Sequence, residues 1–456
     1  MKFKLLSRTE GVKRLILIFS GWSTEADYYS NIRRAGWDVG VITDYTDLSL
    51  DTSFLDVYDT VWVFAWSLGV KAAAVSLNSD KIQNAIAING TLTPVDDDYG
   101  IPVAIYDGTK SNLNSRNLNK FQLRMVGDRK TYDEVFKRDY PDNKIDILKQ
   151  ELEILGNADQ KLNLLPWTSV YLSRQDKIFP YENMHRFWDS MNVQIIDTDT
   201  PHCINLQHVI SAAIPDVNLI AKKFNSAAKT YGDNASAQKI VADKLVSLIP
   251  FGKHKAVSIL ELGPGQGGFT YKYSNYIEPD VADYVDLVDL EAFGIAKRER
   301  YYKGDAEEYV RITDMSYDYI LSSSVVQWFS NLDSFMRNCR GILSDGGFLC
   351  FSTYARGNLE ELDRFRPAPL RYYSPDEIEA IARQYFNDVT ILNDEVKLNF
   401  NSSRDLLMHL KNTGVSGIKT MAQISPFKLK GIRTLTYKPV YIIARNVSKY
   451  KNLNGL

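Results

Sequence analysis

Two short segments of this 456-residue chain carry residue types at spacings that can do chemistry. The first is Val257-Ser-Ile-Leu-Glu-Leu-Gly-Pro-Gly-Gln-Gly-Gly268. An apolar, β-branched strand runs straight into Gly263, Gly265 and Gly267, and a helix candidate follows. Glycines at such a turn let the backbone bend sharply and approach a ligand that side chains would block. A lone glycine loop also fits a plain strand-to-helix turn, so its surroundings matter. Glu261, within the strand just ahead of the glycines, is a further candidate cofactor-binding residue. A second apolar strand is expected to end at Asp289, about 20 residues beyond the glycines, where a carboxylate can take both hydroxyls of a ribose. Asp305 follows a third strand, placed to accept an adenine amino group, and Ser322 closes the fourth. A dinucleotide site expects G-x-G-x-x-G, which Gly263, Gly265 and Gly268 match only through the Gly-Gly pair. Order and spacing together favour S-adenosylmethionine as cofactor.

The second segment is Val61-Trp-Val-Phe-Ala-Trp-Ser-Leu-Gly-Val70. It reads as a strand, a tight turn and a helix start, with Ser67 at the turn. Ala65 and Gly69 are small, as a nucleophile elbow requires where strand and helix close on each other. The motif is A-x-S-x-G, which also occurs by chance, so partners must follow in the order serine, acid, histidine. His202 lies in a loop after a strand, in Asp197-Thr-Asp-Thr-Pro-His202. His185 and His208 fall within helices and read as structural. Asp176, in Ser173-Arg-Gln-Asp176, follows a strand and is the expected acid, although a surface turn would use the same residue; Asp197 and Asp199 are fallbacks. Leu68, directly after the nucleophile, and Trp22, in Ser20-Gly-Trp22, supply the two expected oxyanion N–H donors.

These residues need elements to hold them. Short apolar runs alternate with helical patterns, which implies α/β architecture with parallel sheets. The length exceeds the roughly 250–300 residues of one core, so two domains are expected. Residues 1–212 are read as an α/β-hydrolase-like domain, 213–223 as a linker and 224–456 as a Rossmann-like class I domain. Expected strands are Leu15–Phe19, Val39–Ile42, Val61–Ala65, Ala85–Ile88, Val103–Tyr106, Ser169–Leu172 and Val193–Ile196, then Ser258–Leu262, Tyr284–Val288, Tyr319–Ser322 and Phe348–Ser352. A helix is expected over Gln238–Leu248. Between Thr109 and Leu165 the pattern turns charged and helical, which reads as a lid. The lid carries Arg116, Lys120, Arg124, Arg129, Lys130, Lys137 and Arg138, a face suited to an acidic partner or simply to solvent.

Composition narrows the classes. There are 54 basic and 56 acidic residues, a net charge of −2, which gives no support for bulk binding to nucleic acid or membrane. Three cysteines without metal-ligand spacing argue against a disulfide framework or a zinc site. The run Leu15–Phe19 is too short for a signal segment or a membrane span, so a cytoplasmic location is expected.

Further segments carry a resemblance. Phe224-Asn-Ser-Ala-Ala-Lys-Thr-Tyr231 with Gln238, Ser322-Ser-Ser-Val-Val-Gln-Trp328, Ser352-Thr-Tyr-Ala-Arg-Gly-Asn-Leu-Glu-Glu-Leu362, Arg371-Tyr-Tyr-Ser-Pro-Asp-Glu-Ile378 and Leu410-Lys-Asn-Thr-Gly414 resemble the malonyl-carrier-protein O-methyltransferases of biotin synthesis (BioC type). Ser323 departs from the asparagine common there. Phe19-Ser-Gly-Trp22 with Ala65-Trp-Ser-Leu-Gly69 resembles the pimeloyl-carrier-protein methyl ester esterases (BioG type), including the early start of the chain, with no strand ahead of Leu15–Phe19. The first resemblance implies that a malonyl carboxylate on an acyl carrier protein is esterified; the second implies that the methyl group is later removed from pimeloyl. A malonyl carboxylate is ionised at neutral pH and needs no general base. Arg371 is a candidate to hold it and Tyr231 to close over the cofactor, although a loop arginine and a core tyrosine are equal readings. The pimeloyl chain has about four more methylenes, worth about 0.8 kcal/mol each and roughly 3 kcal/mol in all, so an apolar acyl groove beneath the lid is expected.

Overall fold

The computed structural model describes the whole chain except Asn192, Lys223, residues 226–234, 253–256, 366–371, 414–428, 430 and 448–456, and the side chains of 363–365. Tyr231, Arg371 and Gly414 fall outside the described residues. The chain forms two compact units, Met1–Ile210 and Ser211–Leu456.

In the first unit, seven strands form one sheet in the order β1-β3-β2-β4-β5-β6-β7. They are β1 (Lys2–Ser7), β2 (Arg14–Phe19), β3 (Asp38–Thr43), β4 (Thr60–Trp66), β5 (Ile82–Ile88), β6 (Trp167–Ser173) and β7 (Gln194–Thr198). All neighbours pair in parallel except β1, which runs antiparallel along β3 at the edge. Every residue of β4 is buried, as expected of a central strand covered on both faces. β1 precedes the strand expected to be first. Its Lys-Phe-Lys-Leu alternation suits an edge with one face packed, and Phe3 stacks on Phe54 at 3.9 Å.

Helix α1 (Gly69–Ser76) follows β4. The stretch expected to form a lid is helical: α2 (Val103–Ser111) leads into it, and α3 (Ser115–Val126), α4 (Arg129–Val135) and α5 (Asp142–Leu155) lie within it. The expected strand Val103–Tyr106 is therefore wrong: it is the first turn of α2. Pro102 takes the N-cap position, Val103 and Ile105 face solvent, and only Tyr106 of the helix is buried. A four-residue apolar run is too short to separate the two periodicities. Helices α6 (Tyr181–Asp189) and α7 (Leu206–Ala213) complete this part of the chain. The stretch read as a linker contains helical residues 217–222, with Ile214 and Ile220 buried.

In the second unit the main sheet has the order β10-β9-β8-β11-β12-β16-β13. Its strands are β8 (Ser258–Leu262), β9 (Val281–Asp286), β10 (Arg298–Lys303), β11 (Tyr317–Ser323), β12 (Leu343–Tyr354), β13 (Asp388–Asn393) and β16 (Pro439–Arg445); β14 (Val396–Asn399) and β15 (Thr434–Tyr437) pair separately. β16 is antiparallel to both neighbours. The order reverses beside β8, so a crevice opens between the carboxyl ends of β8 and β11, where such sheets bind ligands. Helix α8 (Ser236–Leu248) packs into the core beside β8. The strand expected over Tyr284–Val288 lies three residues earlier at its start and ends at Asp286. Parallel pairing of Ser258–Leu262 with Val281–Val285 fixes that register.

Candidate active sites

The turn after β4 holds Ser67 at φ 60°, a left-handed conformation that costs a non-glycine residue strain and is kept where its neighbours enforce it. Two glycines make the turn possible. A Cβ on Gly69 would lie 2.5 Å from the Ser20 carbonyl oxygen, and one on Gly90 would lie 2.2 Å from the Ser67 carbonyl oxygen. The backbone therefore closes around Ser67 and directs its hydroxyl outward from the strand end.

The residues singled out in sequence meet here. Ser67 Oγ lies 2.9 Å from His202 Nε2, and His202 Nδ1 lies 2.6 Å from Asp176 Oδ2. A carboxylate only accepts, so Nδ1 carries the proton and Nε2 is left to accept from Ser67. All three side chains are buried. Asp176 cannot swing, because its other oxygen accepts from Ile178 N at 2.7 Å and Phe179 N at 2.9 Å. Phe179 lies parallel to the imidazole at 6.0 Å. The His202 carbonyl accepts from Trp66 Nε1 at 3.0 Å and Asn89 Nδ2 at 2.8 Å. Trp66, Asn89 and Phe179 were not singled out in sequence; tryptophan, asparagine and phenylalanine carry no motif by themselves. Asp197 pairs with Arg174 at 2.5 Å instead.

The backbone groups of Ser20 and Gly21 are all paired. Ser20 N donates to Ile42 O, the Ser20 carbonyl accepts from Tyr45 Oη at 2.7 Å, Gly21 N donates to Tyr29 Oη, and the Gly21 carbonyl accepts from Thr24. The backbone N–H groups of Trp22 and Leu68 have no partner among the described residues. A developing oxyanion requires unspent N–H donors of this kind. Aromatic contacts join this region to the helices after β5: Trp22 meets Phe121 edge-on at 5.0 Å, and Tyr28 contacts both Trp66 and Phe136.

In the second unit Gly263, Gly265 and Gly267 all have positive φ, at 70°, 55° and 78°. A Cβ on Gly263 would strike Val325 at 2.4 Å, whereas Gly265 faces open space. The loop thus presents bare backbone at the carboxyl end of β8, a cradle that fits a nucleoside-bearing cofactor. Gly265 N donates to Asp286 Oδ2 at 2.9 Å. Asp286, not Asp289, ends β9; burial pushes its carboxyl upward. Asp289 lies three residues beyond, exposed and paired with Lys303 at 2.7 Å. The tandem Val285-Asp-Leu-Val-Asp-Leu290 made either aspartate readable as the strand end. Asp305 caps the helix Ala306–Ile312, accepting from Glu307 N. Ser322 is buried and donates to the Leu262 carbonyl, joining β11 to β8. Glu261 turns inward and accepts from Thr270 and Tyr273, and burial pushes it up to about 8.

Residues 1–210 match the family model described as pimeloyl-ACP methyl esterase BioG, and residues 260–351 match a methyltransferase domain. A malonyl-[acyl-carrier protein] O-methyltransferase of Bacteroides fragilis is 31% identical over 95% of this chain and 93% of its own. The chain belongs to that family. A malonyl-[acyl-carrier protein] O-methyltransferase of Porphyromonas gingivalis, 31% identical, aligns with 50% of this chain and 96% of its own. The solved structure of BioG from Haemophilus influenzae is 32% identical, covering 44% of this chain and 94% of that one, with a TM-score of 0.40. The chain is thus an S-adenosylmethionine-dependent methyltransferase joined to a methyl esterase domain. No helix among the described residues is long and apolar enough to cross a membrane.

Proposed function

We propose that the second unit of this family member methylates the free carboxylate of a malonyl group on acyl carrier protein, and that the first hydrolyses the methyl ester of pimeloyl on the same carrier. The observation that carries the hydrolytic half is the relay from Asp176 through His202 to Ser67.

In that half, Ser67 Oγ attacks the ester carbonyl while His202 Nε2 takes its proton. Trp22 and Leu68 N–H receive the oxyanion. His202 returns the proton to the departing methanol oxygen, then activates the water that frees the acyl group. Asp176 holds the imidazole in place through its bond to Nδ1. The aromatic cluster of Trp66, Tyr28 and Phe136 gives an apolar acyl chain a surface to pack on. Arg116, Lys120 and Arg124, exposed at four-residue spacing along α3, put three cations on one stripe without an acidic partner among the described residues. Such a stripe suits an acidic carrier protein.

In the other half, S-adenosylmethionine supplies an electrophilic methyl group when bound. The glycine cradle would hold it, with Asp305 available to its base and Asp286 or Asp289 to its ribose. The malonyl carboxylate is already ionised, so the chain needs only to orient it and exclude water. Arg371 and Tyr231 are the proposed residues for that task. A variant Ser67→Ala that keeps methyl transfer and loses ester hydrolysis supports the assignment; one that keeps both refutes the hydrolytic half.

A further inference from the structure

The lid grips the oxyanion loop through a buried carboxylate. Glu151 lies on α5 and is buried, although most lid carboxylates face solvent. Its Oε1 accepts from Tyr45 N at 3.0 Å. Tyr45 is itself fully buried and donates from its hydroxyl to the Ser20 carbonyl at 2.7 Å; Ser20 Oγ reaches the same hydroxyl at 3.2 Å. One helical turn before Glu151, the Leu148 carbonyl accepts from Trp22 Nε1 at 3.1 Å. The same helix thus holds both ends of Ser20-Gly-Trp22. Next to this grip, Lys144 of α5 pairs with Glu25 at 3.1 Å. Gln122 of α3, fully buried, also reaches the Ser23 hydroxyl.

We infer that Glu151 is a positioning residue for ester hydrolysis: by fixing Tyr45, it sets the Ser20 carbonyl and with it the direction of the Trp22 N–H. A buried acceptor that served only the lid core would gain nothing from reaching across to a residue beside the β3 terminus. Burying a carboxylate is costly unless its bonds do something that an apolar residue could not. The consequence is that anything moving α5, including a protein docked on the lid, acts on the oxyanion donors. This inference rests on Trp22 being such a donor.

The test uses the full-length chain and p-nitrophenyl butyrate, a small ester with no carrier. Glu151→Gln keeps an acceptor oxygen of the same shape; Glu151→Leu removes it. Misaligning an oxyanion donor acts on the transition state, so Glu151→Leu should lower kcat by about tenfold or more with KM within about twofold, and Glu151→Gln should restore it. Tyr45→Phe should lose a similar factor, and the double variant little more, because the two bonds act in series on the Ser20 carbonyl. If Glu151→Leu does not fold, Tyr45→Phe decides alone. Unchanged kcat, a loss confined to KM, or a Gln variant as impaired as Leu overturns the inference. Ser67→Ala, run alongside, separates the two levels: if it still hydrolyses the ester, the underlying reading fails instead.

Discussion

His202 Nε2 stands 2.9 Å from Ser67 Oγ, although the two residues are 135 positions apart in sequence. The sheet closes that gap. β4 delivers Ser67, β7 leads into the loop that ends at His202, and β5 and β6 between them supply Asn89 and the loop of Asp176. Triad order and strand order are thus one fact.

Asp176→Asn leaves an amide held by the same Ile178 and Phe179 N–H groups. The amide can then present a donor to Nδ1, favouring the wrong tautomer. Ester hydrolysis should fall by about 10⁴-fold in kcat, as tautomer errors do in such triads, with little change in KM. Steady-state kinetics on the carrier-bound ester checks this. A fall of less than tenfold means that another acid, such as Asp197, serves His202.

Gly69→Ala forces a Cβ to within 2.5 Å of the Ser20 carbonyl and 2.8 Å of the Phe19 carbonyl. Backbone cannot yield as a flexible side chain can. The esterase unit should lose about 1–3 kcal/mol, the usual cost of overpacking. Calorimetry should show one transition shifted down and methyl transfer intact at low temperature.

Charge reversal at Arg116, Lys120 and Arg124 should raise KM for a carrier-bound ester without altering kcat or the hydrolysis of p-nitrophenyl butyrate. The effect should shrink as salt rises, because exposed charges more than about 8–10 Å apart are screened at physiological ionic strength. Equal losses on both substrates would mean damage to the lid rather than to docking.

Burial holds Glu261 at about 8 and Glu151 at about 7, against an ordinary value of 4.5. Each folded carboxyl binds its proton more tightly than the unfolded one. The stability from this preference is complete below about pH 4.5 and is lost as pH rises through 7 to 8. Each group contributes a slope of about 1.4 kcal/mol per pH unit within its window. Urea titrations between pH 5 and pH 9 should therefore show stability declining, and Glu261→Gln should flatten the decline in the methyltransferase unit. An unchanged slope would show that Glu261 ionises normally.

The central strands were legible because buried parallel strands read as unbroken apolar runs, and β4 is buried from end to end. The serine, its acid and its histidine were legible because each lies in a turn or loop within a few residues of a strand end. The misses have physical causes. The edge strand β1 alternates with lysine, so its apolar content is low. Val103–Tyr106 is apolar but begins a helix behind Pro102. The end of β9 was misplaced because Val-Asp-Leu occurs twice in succession, and only pairing with β8 chooses Asp286. Glu151 and Asn89 act through buried hydrogen bonds to backbone groups far along the chain, which leave no local pattern.

The most direct test of the whole account is mass spectrometry of malonyl-[acyl-carrier protein] incubated with S-adenosylmethionine and the Ser67→Ala chain. Disabling the esterase prevents the product from being cleaved. The account predicts a gain of one methyl group on the malonyl carboxylate, with free malonate left unmodified in a parallel reaction. A carrier of unchanged mass, or methylation of free malonate at a comparable rate, would contradict it.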